Sequence, residues 1–157
     1  MIAVDGAEPR AALIWVTRHG PVFVNDEGRP YAVRWTAAEP GGLGFPFLNL
    51  NRAANWDEFR AVVSRFTGPA QNFIYADVDG NIGYQAGGRL PVRKNCKGDV
   101  PADGAAGDCE WQGYVPFEEL PRVFNPATGV VASANQNPFP TEEVRGRVPA
   151  GGAANGG

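Results

Sequence analysis

The sequence contains few of the residues that most often carry enzyme chemistry. It has one histidine, His19, and two serines, Ser64 and Ser133. Neither serine lies in the GxSxG turn that presents a nucleophile in many enzymes. The two cysteines, Cys96 and Cys109, are distant in sequence from His19, so a cysteine–histidine pair is the weaker alternative. No complete set of nucleophile and base can therefore be assembled from these residues.

Long apolar segments and clusters of positive charge are also missing. The longest uninterrupted apolar run, 11–16, is far shorter than the ~20 residues that a membrane-spanning helix needs. The net charge is −3 and the 14 basic residues are scattered, so no patch could follow a phosphate backbone. Segment 1–6 has neither the basic nor the apolar part of a signal peptide. These features argue against a membrane or a nucleic acid as partner.

The cysteines leave two alternatives open. Cys96 and Cys109 lie in a loop rich in glycine and aspartate, without the CxxC spacing of a zinc site. A disulfide would close this loop and stabilise the fold by ~3 kcal/mol in an oxidising compartment. Two free thiols are the other interpretation.

Glycine (21 residues) and proline (14 residues) are abundant, which is typical of strands joined by tight turns. Residues 79–81 are predicted to form a hairpin turn, and segment 91–108 a loop. Strands are predicted at 11–17, 22–24, 31–36, 73–78, 82–85 and 129–133.

One helix is clearly indicated. Asn55 is a favourable N-cap, and Glu58 follows three residues later as in a capping box. Apolar residues then recur at helical spacing as far as Phe66, and Gly68-Pro69 is predicted to end the run. We interpret the aromatic stripe on this helix as core packing.

Two polar segments are candidates for chemistry. Oxygen-bearing side chains alternate at Asp77, Asp79 and Asn81, as at the start of an EF-hand calcium loop. The rest of the sequence does not match that loop, and we interpret these residues as a hairpin turn. In segment 134–138, amide side chains follow a predicted buried strand. Asn135 in such a position could donate its side-chain N–H to an oxyanion.

Seven segments, taken in order, carry a family resemblance. They are 17–21, 31–36, 55–59, 71–84, 88–93, 111–121 together with 125–126, and 129–138. Together they resemble the β-subunit of penicillin acylases and their relatives, the cephalosporin and acyl-homoserine-lactone acylases. The strongest block is Gln71–Tyr84, and the resemblance covers about residues 11–138.

The resemblance implies an N-terminal-nucleophile hydrolase with an αββα sandwich. In this family an N-terminal serine, exposed by self-cleavage, attacks a linear amide and forms an acyl-enzyme, with its own α-amino group as base. The family's oxyanion-hole asparagine aligns with Asn135. No cofactor is required for the chemistry, and a structural calcium is conceivable in the parent protein. Its partners would be a small N-acyl substrate, the rest of the β-subunit and the α-subunit.

This chain departs from the family pattern at the catalytic residue. Neither Ser64 nor Ser133 is followed by asparagine, as the family's nucleophile is, and the chain starts at Met1. The upstream region with the calcium ligands is absent as well. We therefore interpret the chain as an internal fragment of a periplasmic or secreted amidase, inactive and prone to aggregate by itself.

The expected fold is a partial αββα sandwich of the α+β class, β-rich with one clear helix. Residues 1–147 would form the partial β-subunit domain, and 148–157 a disordered Gly- and Ala-rich tail. The rival hypothesis is a non-catalytic β-rich binding or scaffold module.

Overall fold

A computed structural model describes residues 1–42, 44–134 and 139. The chain divides into two compact units, Met1–Trp35 and Thr36–Gly157. Among the described residues the structure is β-rich, with two α-helices and short antiparallel strands, which confirms the predicted α+β class with one principal helix. None of the helices described here combines the length and the apolar character that crossing a membrane requires.

The first unit consists of two small antiparallel sheets. Strands β1 (Ile2–Val4) and β2 (Ala7–Arg10) form one. Strands β3 (Val16–Thr17), β4 (Gly20–Val24) and β5 (Pro30–Ala32) form the other, in that order. The prediction of a strand at 22–24 is confirmed within β4.

Two strands predicted in this unit are much shorter than expected. Only 16–17 of the predicted strand 11–17 is a strand, and the strand predicted at 31–36 ends at Ala32. The side chains of Leu13 and Trp15 are 84% and 72% exposed. Apolar patterning predicts burial, but a buried strand also needs a layer over its side chains. The Trp15 carbonyl accepts from the Val22 backbone N–H of β4 (2.8 Å), yet within this unit nothing buries the side chains of Leu13 and Trp15.

The second unit begins with a 3-10 turn at Thr36–Ala38, followed by helices α1 (Phe47–Leu50) and α2 (Trp56–Val63). The predicted cap of α2 is confirmed, because the Glu58 backbone N–H donates to Asn55 Oδ1 (2.9 Å). Glu58 Oε2 in turn accepts from the backbone N–H of Ala54 (2.8 Å). The helix ends at Val63, earlier than predicted, because the last turns tighten to i→i+3 hydrogen bonds up to Phe66.

A three-stranded antiparallel sheet packs against α2. Its order is β10 (Arg122–Phe124), β7 (Ile82–Gly87), β6 (Gln71–Ala76), so the predicted hairpin is confirmed. Residues directly opposite each other share a face, and the faces alternate along each strand. We call the face of the sheet on the helix side the core face. The register places on it Phe73, Tyr75, Gly83, Gln85 and Phe124.

Aromatic rings fill the space between α2 and the core face. The Trp56 ring stacks on Phe59 (centroids 5.4 Å apart) and on Phe124 (5.1 Å). The Tyr75 ring lies 5.0 Å from that of Phe59 and 5.4 Å from that of Trp56. Rings at these separations contribute beyond their buried area. This packing confirms that the aromatic stripe of the helix is core.

One polar group is buried at this interface. The side chain of Gln85 is fully buried, and its Oε1 accepts from Arg60 Nε of α2 (2.9 Å). Arg60 also bonds Glu118 Oε2 (2.6 Å), which accepts from Arg122 Nη1 as well (3.0 Å). The hydrogen bond from Arg60 holds the pKa of Glu118 below its usual value. Because Gln85 has a charged donor from the helix, its burial is compensated.

The segment predicted as a loop at 91–108 contains a strand. Strand β8 (Pro91–Arg93) pairs antiparallel with β9 (Trp111–Tyr114), and a disulfide joins Cys96 to Cys109 beyond the end of this pair. Backbone bonds from Lys94 to Glu110 and from Asn95 to Asp108 connect the two features. The strand was not predicted because the local sequence is rich in loop residues. Its pairing partner, β9, lies about twenty positions further along the chain.

The strand predicted at 129–133 is not observed. These residues pair with none of the described strands, Gly129 has a positive φ (67°), and the side chain of Val130 is 68% exposed. The prediction was wrong because the apolar run lacks the covering layer that would bury it. The predicted tail at 148–157 lies outside the described residues, as does the end of the domain predicted at 1–147.

We expect Gly83→Ala to destabilise the 157-residue chain by about 1–3 kcal/mol, because a Cβ there would lie 2.6 Å from the Trp56 ring. Chemical denaturation followed by tryptophan fluorescence measures the loss. In a Trp56→Leu background, which removes the ring, the same substitution is expected to cost less. An equal cost in both backgrounds would contradict this account.

The exposed run Leu13–Val16 is expected to make the chain self-associate at high concentration. The double variant Leu13→Lys/Ile14→Lys is expected to lower the aggregate fraction measured by light scattering. Val78→Lys is the control, since Val78 is even more exposed but stands alone between two aspartates. A comparable improvement from both variants would mean that added charge, and not the apolar run, controls solubility.

Candidate functional site

The face of the sheet opposite α2 has a different character from the core face. It carries Asn72, Ile74, Ile82, Tyr84 and Val123, and we call it the open face. Ile74 at its centre is 49% exposed. The open face is thus a largely apolar surface that contains two polar side chains.

These two polar side chains are hydrogen-bonded to each other and to a distant segment. Tyr84 OH donates to Asn72 Oδ1 (2.6 Å), and Asn72 Nδ2 donates to Ser133 Oγ (2.7 Å). Burial raises the pKa of Tyr84 to about 12, so its phenol stays protonated and remains a donor at neutral pH. Because Asn72 uses both ends of its amide, its orientation is determined. We call this chain of bonds the Tyr84–Asn72–Ser133 relay.

The relay connects the hairpin to the segment that leads to Asn135. Ser133 is 61 positions from Asn72 in sequence, so this is a tertiary contact. Asn135, the oxyanion-hole residue predicted from the family resemblance, lies outside the described residues. Its role stays a prediction, and the described part of the site ends at Ala134.

The alternating polar residues of the hairpin loop hold the turn. Asp77 Oδ1 accepts from the backbone N–H groups of Asp79 (3.1 Å) and Asn81 (2.9 Å). Its Oδ2 accepts from Asn81 Nδ2 (2.8 Å) and Tyr75 OH (2.7 Å). Asn125 then bonds Asn81 and the backbone of Ile82, which joins β10 to the turn. The interpretation as a hairpin turn is confirmed, since both carboxylate oxygens of Asp77 serve the loop.

These hydrogen bonds shift two pKa values. The side-chain bond from Asn81, followed by that from Tyr75, lowers the pKa of Asp77. Burial, followed by the bond to Asp77, raises the pKa of Tyr75 to about 12. Within the part of the chain that the structure describes, no three His, Cys, Asp or Glu side chains come together as a metal site.

The other candidate nucleophiles do not form a catalytic set. Cys96 and Cys109 are joined as a disulfide, so neither presents a thiol, and the cysteine-based hypothesis fails. Ser64 Oγ donates to the carbonyl of Ala61 at the end of α2 (2.9 Å). The backbone N–H of His19 donates to a threonine hydroxyl in the first unit.

Sequence reasoning did not single out Asn72 and Tyr84. The signal was nevertheless available, because a hairpin turn at 79–81 implies a register that puts both residues on one face. The sequence suggests Ser133 only as a candidate nucleophile, whereas in the structure its Oγ accepts a hydrogen bond from Asn72.

Comparisons with known proteins agree on one family. The family model described as penicillin amidase matches residues 1–151. Penicillin acylase 2 proenzyme of Pseudomonas sp. (strain SE83) is 34% identical over 85% of this chain and 18% of its own length. Penicillin G acylase of Escherichia coli is 31% identical over 87% of this chain and 16% of its own length.

Two further relatives are similar to this chain. Acyl-homoserine lactone acylase QuiP of Pseudomonas fluorescens (strain Pf-5) is 30% identical over 85% of this chain. The solved structure of thermostable penicillin G acylase from Alcaligenes faecalis is similar with a TM-score of 0.72 and 36% identity, over 89% of this chain and 26% of that one. The chain thus spans less than a fifth of the length of these curated relatives.

The lowered pKa of Asp77 predicts a loss of stability in acid. A carboxyl group with a lowered folded-state pKa stabilises the fold above its unfolded pKa of about 3.9, and loses this effect as the pH falls through its folded pKa. The melting temperature of Asp77→Asn is therefore expected to lie below that of the parent at pH 7, with the gap closing below about pH 4. Differential scanning fluorimetry across pH measures this.

Asp79→Asn removes the same charge from the same turn and serves as the control. It is expected to lower the melting temperature less than Asp77→Asn at pH 7, because Asp77 is the side chain that accepts the four bonds of the loop. A gap for Asp77→Asn that stays constant from pH 7 to pH 3 would refute the role of its carboxylate.

Proposed function

This chain belongs to the penicillin amidase family, and we propose that it is a segment of the β-subunit of an amidase that hydrolyses linear N-acyl amides. The catalytic serine of such an enzyme would be supplied by the complete protein. The substrate class, the mechanism and the partners are all proposed for that complete protein, because the chain spans less than a fifth of its curated relatives.

One contact supports this proposal most directly. The hydrogen bond from Asn72 to Ser133 brings together the hairpin block 71–84, the segment of strongest family resemblance, and the block 129–138. The second block contains Asn135, which aligns with the family's oxyanion-hole asparagine. The contact is therefore what a site built from both blocks requires.

The proposed reaction is an acyl transfer followed by hydrolysis. The hydroxyl of an N-terminal serine adds to the amide carbonyl while its own α-amino group takes the proton. The amine leaves with a proton, and water then releases the acyl group from the serine ester. In both steps a tetrahedral oxyanion forms, and the side-chain N–H of Asn135 would donate to it.

Two substrate groups fit this chemistry. Relatives are named penicillin acylases and acyl-homoserine lactone acylases, and both names denote removal of an acyl group from an amine. We propose a small N-acyl compound of one of these kinds as the substrate. The remainder of the β-subunit and an α-subunit would be the protein partners.

A periplasmic or secreted location is part of the proposal. The disulfide between Cys96 and Cys109 supports it, because structural disulfides persist mainly in oxidising compartments. A structural calcium rests on the family resemblance alone. No step of the proposed reaction depends on it.

We expect Asn135→Ala in the complete protein to lower kcat about 100- to 1000-fold, as loss of one oxyanion donor does in other acyl-transfer enzymes. KM is expected to change little, since the bond forms mainly in the transition state. Release of a chromogenic amine from an N-acyl substrate measures both constants. Asn137→Ala, two residues further in the same amide-rich segment, is the matched control and is expected to retain activity.

Several outcomes of this experiment would change the proposal. A complete protein that binds N-acyl compounds without hydrolysing them would favour the rival hypothesis of a binding module. Equal losses in the two variants would remove the specific role of Asn135. The 157-residue chain by itself is expected to release no amine above the buffer rate and provides the baseline.

A further inference from the structure

We propose that the β8–β9 pair carries an interaction surface for a carboxylate-bearing segment of the complete protein, a segment that lies outside residues 1–157. The surface consists of Arg89, Arg93, Trp111 and Tyr114, and we call it the arginine–aromatic face. The inference rests on one part of the proposed function, namely that this chain is a segment of a larger protein.

The four side chains of the arginine–aromatic face form one continuous row. The Arg93 guanidinium lies over the Trp111 ring (5.8 Å from Cζ to the ring centroid), and that of Arg89 lies over the Tyr114 ring (5.5 Å). The two rings meet edge to face, with their centroids 6.1 Å apart. Aromatic faces attract cations, so the rings of β9 hold two positive charges next to each other on the surface.

Arg93 carries its charge in a half-buried position without an opposite charge beside it. Burial lowers the pKa of Arg93, because its charged form loses part of its hydration. Over residues 1–42, 44–134 and 139, no carboxylate forms an ion pair with Arg93 or Arg89. Charged side chains that lose water on folding are normally paired. The partner of this face is therefore expected outside the described residues.

The lack of an ion pair is not caused by a shortage of acidic residues nearby. Four of them lie between Arg93 and Trp111 in the sequence: Asp99, Asp103, Asp108 and Glu110. Asp103 Oδ1 instead accepts from the backbone N–H of Ala105 (2.8 Å), within the disulfide-closed loop itself. The local acidic residues thus leave the guanidinium of Arg93 for another partner.

The loop fixes the guanidinium of Arg93 and leaves its edge accessible. A Cβ at Gly98 would lie 2.6 Å from Arg93 Cζ, so the backbone of the loop packs directly on this group. Arg93 Nη1 donates to the Lys97 carbonyl across a long 3.5 Å, and none of its other N–H groups is buried without a partner. A fixed planar fork with N–H groups open to solvent is suited to bind a carboxylate through two parallel hydrogen bonds.

The lengths of the proteins favour a carboxylate from the remainder of the complete protein. This chain spans less than a fifth of its curated relatives, so most of such a protein lies outside it. The stretches of the chain that the structure does not describe contain only two carboxylate side chains, Glu142 and Glu143. A carboxylate on the same protein also has a high effective concentration, which a dissolved small acid lacks.

The test uses the complete protein and the variants Arg93→Lys and Arg89→Lys, which keep the positive charge and introduce a primary amine. A carbodiimide links an amine to a carboxylate that is in contact with it, and mass spectrometry of the digested protein identifies the linked peptides. We expect at least one variant to give a crosslink, absent from the wild type, between the introduced amine and an aspartate or glutamate outside residues 1–157. Subtraction of the wild-type pattern removes the links made by Lys94 and Lys97.

Arg29→Lys is the matched control. The Arg29 side chain is exposed and forms an ion pair with Glu27 (3.3 Å), so the introduced amine is expected to link to Glu27 and to no residue outside the chain. A mixture of unlabelled and 15N-labelled protein shows whether a link joins two copies. Links from Arg93→Lys and Arg89→Lys only to residues 1–157, only between copies, or to no carboxylate at all would each overturn the inference.

Amide hydrolysis by the wild-type complete protein is measured separately, so that the inference and the proposed function can fail independently. Hydrolysis without a crosslink to the remainder of the protein would overturn the inference and leave the proposed function standing. Such a crosslink in a protein that releases no amine would support the arginine–aromatic face as an interaction surface and overturn the proposed function.

Discussion

The packing of α2 on the core face of the β6–β7 hairpin is the constraint on which the second unit depends. Two glycines of β7 leave room for this packing. The Trp56 ring occupies the space that a side chain would take at Gly83, and Val63 and Phe73 occupy it at Gly87. The helix can then approach the sheet closely enough for its aromatic rings to stack on those of the strands. Burial of such rings is the largest apolar contribution available to a unit of this size.

This packing also determines what the other side of the sheet can carry. Side chains alternate along a strand, so once Phe73 and Tyr75 face the helix, Asn72 and Ile74 must face away. A slip of one residue would invert both faces. The bonds that Asp77 and Asn125 make around the hairpin loop prevent such a slip, because they tie the loop and β10 to one register. The turn signature and the relay are thus two consequences of one register.

Local features of the fold could be predicted from the sequence, whereas features that need a partner could not. The cap at Asn55 and the turn at 79–81 depend on residues within four positions of one another, and both were predicted correctly. The pairing of β8 with β9 was missed, and strands were overestimated at 11–17 and 129–133, because apolar patterning shows which residues favour burial but not what covers them. The cysteine pairing stayed undecided for the same reason. For the candidate site, the family resemblance predicted Asn135. The contact between Asn72 and Tyr84 became evident only from the register of the hairpin.

The magnitudes indicate that the relay on the open face contributes less to folding than the packing on the core face. A neutral hydrogen bond contributes about 1 kcal/mol net to stability. Losing one of the two bonds of the relay would therefore leave the helix–sheet packing in place. The core face, where aromatic rings of the helix and of the strands stack on one another, therefore determines the position of the sheet. The relay then joins this sheet, from β7 through Asn72, to Ser133.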